Sequence, residues 1–261
     1  MTIVKHELKQ GKIAFAIWTA SIAFLLVVCV FLFPDIKGEM ESVGDIFASM
    51  GSFTDAFGMD RLNFGTLIGF YAIECGNVLG LGGAFFASLI AVSALSKEEK
   101  DKTAEFLLTH PIFRTRVITE KLIAVILQIV VMNGIILGLA LLSMVFIGEE
   151  IPMKEVLLMH LAYFLLQIEL AGICFGISAF SKRGSMGIGL GLAIMMYFLN
   201  LIANMTESAE VLKYITPFAY CDGADIVENG TLDITLVAIG MSLATCGVAI
   251  AYAKYTKKDI G

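Results

Sequence analysis

Apolar residues run through this chain in long blocks, not at the three-to-four spacing of a soluble amphipathic helix or the alternation of a half-buried strand. Six blocks, at about 13–33, 64–95, 117–147, 156–180, 186–204 and 234–253, are each close to or above the length that crosses a bilayer as a helix, about 20 residues. The second and third exceed a minimal span and are expected to tilt, kink or extend beyond the membrane. Short polar stretches separate the blocks, leaving no room for a soluble domain. The pattern predicts an all-α polytopic integral membrane protein, residues 1–261 forming a single transmembrane domain of six helices.

Composition strengthens that reading: 58% of residues are hydrophobic, only 16% are charged, and the mean hydropathy is +0.85. Met1 to Lys12 is polar and mildly amphipathic, and the apolar block after it is longer than that of a signal peptide, so no cleavage is expected. Ile3, Val4 and Leu8 are expected to lie on the membrane surface, with Lys5 and Lys9 facing lipid headgroups.

Charge adds an orientation. Lys5, Lys9, Lys12, Lys97, Lys100, Lys102, Arg114, Arg116, Lys121, Lys182, Arg183, Lys254, Lys257 and Lys258 all fall on one side of a six-span layout, and only Lys37, Arg61, Lys154 and Lys213 on the other. Lys/Arg-rich segments stay in the cytoplasm, so both termini and the segment between spans two and three are predicted to be cytoplasmic. The opposite face is acidic, in line with a formal net charge of −6. It reads as a solvated exterior, or as a rim that attracts cations or cationic peptides.

The segment from Ser96 to Lys121, SKEEKDKTAEFLLTHPIFRTRVITEK, is a charged island between two apolar blocks. Ser96 and Glu99 have capping-box spacing, and Glu98 and Lys102 stand four apart in the favourable order for a helical ion pair. Ala104, Leu107 and Leu108 gather on one face with Phe106 beside them, and Pro111 ends the helix. The pattern predicts a helix at about 96–110, of about three turns, lying under the membrane. Arg114 and Arg116 follow at headgroup level, and Glu120 and Lys121 open the third span. On pattern alone this is either a docking helix or an ordinary amphipathic surface helix.

The string formed by Glu99, Lys100, Thr103, Glu105, Leu107, Leu108, Pro111 and Arg114, with Lys121 downstream, resembles the loop between spans two and three of the ABC transporter type-2 permease family. Lys102 stands where that family usually has glycine. Lys5 to Lys9 is similar to the family's basic elbow before the first span. Tyr214 to Tyr220 resembles its outer segment between spans five and six, and Lys254 to Ile260 its cytoplasmic tail. The resemblance implies a coupling helix seated in a cleft of a separate ABC ATPase, with Glu99, Thr103, Glu105, Phe106, Leu107, Leu108, Pro111 and Arg114 as docking residues. It further implies two copies of that ATPase, which would bind the ATP and magnesium, and a second copy of this permease or a paralogous one to complete the pathway. No cofactor is expected in this chain itself. The implied function is that of the permease subunit of an exporter in the cytoplasmic membrane of a bacterium, with membrane lipid and no nucleic acid among its partners.

Missing motifs agree with a transport subunit that is not an enzyme. No G-x-x-x-x-G-K-[ST] occurs, nor H-E-x-x-H or G-x-S-x-G, and the three histidines are scattered. Gly80 to Gly83 and Gly187 to Gly191 lie inside apolar blocks and read as helix-packing surfaces, as Asn133 and Asn200 read as packing contacts. The five cysteines show no metal or disulfide framework, and Cys221, in an outer segment, reads as the one exposed thiol.

Glu74 and Glu169, with His160 and Gln167 nearby, are candidate pathway residues. Both glutamates fall in the middle half of the bilayer, where an ionised carboxylate costs at least about 2.5 kcal/mol unless it meets water or a partner. Three roles stay open: lining a pathway, binding a cationic group of the substrate, or hydrogen-bonding across helices while protonated. The acidic exterior and these glutamates point to cationic or amphipathic substrates. An ATP-independent secondary transporter or channel, or a membrane-bound immunity or binding protein, would share the span pattern but have no need of the island.

Overall fold

The structure, a computed structural model, describes residues 2–48, 51, 54, 56–59, 61–97, 113–181 and 186–257. Among these, every regular element is helical, as hydrocarbon surroundings demand of a chain that must satisfy its own backbone polar groups. Six helices are long and apolar enough to cross a membrane, and each apolar block of the sequence lies on one of them.

Helix α1 runs Thr2–Ala48 with Pro34 inside it. No break separates the polar amino-terminal segment from the first span, and its residues form the first three turns of α1. The cause is polar pairing with α3. The Glu120 carboxylate accepts the N–H groups of Ile3 (3.0 Å) and Val4 (3.4 Å), a charge-bearing cap on the positive end of α1, and Val4 is buried.

Helix α2, Leu67–Ser93, is capped by Thr66, whose hydroxyl accepts from the Gly69 N–H at 3.2 Å. Its middle, Gly76–Leu81, winds as a π-helix. Helix α3 runs Arg114–Ile147 and stops at Gly148, whose φ of 73° is a left-handed geometry that glycine adopts without steric cost. Helix α4, Met153–Ser178, is the centre of the bundle: 61% of its apolar window is buried, against 17% for the last helix. Helix α5, Met186–Met205, lies along α2.

The chain between α5 and the last span folds into a cap: 3₁₀ turns at Glu207–Tyr214 and Ala219–Cys221, then the short helix α6, Gly223–Asn229. Phe218 and Tyr220 are buried, and Thr216 donates its hydroxyl to the Met196 carbonyl at 2.7 Å. This inward fold overturns the expectation for Cys221, which is buried beneath the Tyr163 hydroxyl that bonds its carbonyl at 3.0 Å; the exposed thiol is Cys246, on the last helix. That helix, α7, runs Ile234–Thr256 and is capped by the Asp233 carboxylate at Thr235 and Leu236. Exposed large apolar residues such as Ile13, Ile17 and Phe24 on α1 and Val145 and Phe146 on α3 form the outward face that lipid would cover.

Candidate functional site

At the Lys/Arg-rich end, the two helices that flank the island are tied by charges to the rest of the bundle. Glu7 receives Lys121 on one carboxylate oxygen at 2.9 Å and Lys97 on the other at 3.4 Å. Lys121 also donates to the Ala94 carbonyl at 2.6 Å, joining the start of α3 to the end of α2, and is only 1% exposed. An ammonium so buried persists only because a carboxylate and a carbonyl receive it. The sequence placed Glu120 and Lys121 at the opening of the span; the helix begins earlier, at Arg114, and both side chains are buried in pairs. Arg116 donates to Glu120 at 2.9 Å and fixes the carboxylate that caps α1.

Arg114 donates to the carbonyls of Tyr255 (3.5 Å) and Thr256 (3.3 Å), placing a cation on the negative end of α7. Ser96 turns its hydroxyl back to the Val92 carbonyl at 3.5 Å. Of the docking candidates, Arg114 alone is described; Glu99, Thr103, Glu105, Phe106, Leu107, Leu108 and Pro111 lie outside the described residues.

The four intramembrane candidates stand on different contacts. Cys29 of α1 donates its thiol to Glu74 at 3.4 Å. His160 shares a 2.7 Å hydrogen bond with the Tyr71 hydroxyl of α2, while its Nδ1 is buried without a partner. Gln167 accepts from Asn133 of α3 at 2.7 Å and fits against Gly83, where a Cβ would collide with its amide. Glu169 accepts from Tyr220 of the cap at 3.0 Å and fills the space beside Gly240 of α7 that any side chain there would need. At 100° per residue His160 and Gln167 share one face of α4 and Glu169 lies on the opposite one, while Glu74 stands on α2; their side-chain partners, Tyr71, Asn133, Tyr220 and Cys29, are all different.

Sequence reasoning missed the cap's polar network. A 70 Å³ cavity at the π-helical turn of α2 is lined by Asn77, Tyr163, Tyr197, Asn200 and Asp222 among others. Tyr197 donates to Asn77 at 3.3 Å, Asn204 donates to Asp222 at 3.1 Å, and the Asn200 side-chain oxygen is buried without a partner. Arg61 gathers Asp222, Asp225 and Glu228 around one guanidinium. Burial, and then the neighbouring Asp225 charge, raise Asp222 above the usual carboxylate value against the opposing pull of Arg61. The excess of acids on this face was visible in the sequence; that a single arginine organises three of them was not.

Among the described residues, six apolar helices, of which α4 is the most buried, define a multi-pass membrane protein. The chain belongs to the ABC-2 family transporter proteins, whose family model matches residues 1–260. It is therefore an ABC transporter permease, of a family that associates with ABC ATPases. A comparison with curated proteins found no match.

Proposed function

We propose that this chain is the permease subunit of an exporter in the bacterial cytoplasmic membrane. Two copies of a separate ATPase bind ATP and magnesium, and a second permease, identical or paralogous, completes the pathway. The segment at about 96–110 is the coupling helix, cytoplasmic like both termini. The observation that carries this reading is the bracing of its flanks, by Lys97 and Lys121 on Glu7 and by Arg114 on the end of α7. A flexible root would absorb an ATPase movement, whereas a braced one passes it to α1, α2, α3 and α7 together. Export is supported by the likeness of the island to the exporter class.

Leu107→Asp tests the docking. It places a charge in an apolar contact, and transport is expected to fall at least about tenfold, the equivalent of about 1.4 kcal/mol, with ATPase activity retained and the bundle folded. Normal transport by this variant would remove the docking assignment. Glu74→Gln and Glu169→Gln are expected to lower substrate-stimulated ATPase activity while leaving assembly intact. Full transport by both would leave these carboxylates a packing role only. Purification from the native membrane with no ATPase attached would instead favour an ATP-independent transporter.

A further inference from the structure

Near the Lys/Arg-rich end, α1, α2 and α3, with Met186 of α5, line an open 400 Å³ cavity; its charged end is the Glu7–Lys97–Lys121 brace of the proposed function, and its apolar part has no role in that reading. Its lining changes character along the membrane normal. Glu7, Lys97 and Lys121 stand at one end; Trp18 and Phe86, with ring centroids 6.5 Å apart, stand at the other. On α1 the step from Glu7 to Trp18 is eleven residues, or about 16 Å of helix, close to the depth of one leaflet of a hydrocarbon core about 30 Å thick.

The charged end carries two ammonium groups on one carboxylate and so keeps a net positive charge. Lys121 is fully committed within the protein, but Lys97 meets Glu7 only at 3.4 Å, stays 27% exposed, and has two further donors to offer. A polar anionic end joined to an apolar body about one leaflet long is the shape of an anionic phospholipid. We propose that this cavity binds one such lipid from the leaflet at the Lys/Arg-rich face, its phosphate against Lys97 and an acyl chain running past Ala14 to the Trp18–Phe86 pair.

The test is native mass spectrometry of the purified full chain with phosphatidylglycerol and phosphatidylcholine of equal chain length. The protein should retain phosphatidylglycerol under activation that strips phosphatidylcholine. Lys97→Ala should lower that retention about fivefold, the factor expected for one lysine near a lipid surface. Ala14→Trp, at an exposed position of α1, should fill the chain end and release the lipid without touching a charge. Lys12→Glu, an exposed lysine outside the cavity, should change nothing. Equal retention of the two lipids overturns the proposal. So does an equal loss in Lys12→Glu and Lys97→Ala, which would mean diffuse surface attraction, and so does displacement of the lipid by glycerol phosphate alone, which would mean a small-anion site.

Discussion

The central helix α4 meets its neighbours in two contrasting ways. Toward α7 the main chains nearly touch: a Cβ on Gly172 would stand 2.8 Å from Ala244, and one on Gly176 2.7 Å from the Gly247 carbonyl. Toward α2 the gap is filled by side chains, with Tyr163 against Gly76 and Gly80 and Gln167 against Gly83. Lipid supplies no hydrophobic drive between helices, so both contacts depend on fit and on polar pairing. At Gly172 and Gly176 the α7 contact has no part that can rotate; a side chain enters it only nearer the cap, where Glu169 lies against Gly240. The α2 contact is built from adjustable side chains with polar tips, beside a π-helical turn of the kind often found at functional sites. Since α2 also leads into the island, movement is expected on that side of α4, with α7 carried along as a rigid unit.

The same substitution on the two sides separates them. Gly176→Ala pushes a methyl group into the Gly247 backbone and is expected to cost about 2–3 kcal/mol, read as a lower melting temperature in detergent. Gly83→Ala meets only the Gln167 side chain, which must shift at the expense of its bond from Asn133, and should cost less, about 1–2 kcal/mol. Equal losses would erase the contrast. Gln167→Leu keeps the volume and removes the bond from Asn133, an effect of about 0.6 kcal/mol by the same measurement.

The smallest expected effect lies in the cap, where charge replaces packing. Because burial raises Asp222, its folded form favours the proton; stability from this group is full below the usual carboxylate value and declines as pH rises through the raised one. Melting curves taken just above the usual carboxylate range should show this decline. Asp222→Asn, which can still cap α6, should abolish it.

The spans were legible in the sequence because hydropathy reports on every residue of a run. Their ends were less so: α1 begins at Thr2 because Lys5, His6, Glu7 and Lys9, polar by composition, belong to a helix whose Glu7 and backbone N–H groups find partners on α3. The packing role of Gly80 to Gly83 was readable, and Gly80, Gly82 and Gly83 each meet a side chain of another helix. What no local pattern carries is which partner each polar residue takes. Tyr71 and His160 are 89 positions apart, and Tyr220 and Glu169 are 51 apart. Gln167 and Glu169, two positions apart, read alike in sequence and yet face α2 and α7.

The Glu120 cap on α1 also sets an order of events during synthesis. Its acceptor lies 117 positions beyond Ile3, so at about 5–20 residues per second the start of the first helix waits roughly 6 to 23 s before the residue that completes it exists. Until then two spans have already been made, and their amino-terminal donors must rely on water or headgroups. The third span thus acts as a clasp that closes late on the first. A cell that stalls translation between the two should accumulate an intermediate whose leading turns exchange amide protons freely and are cut readily by protease, and resuming translation should protect both at once.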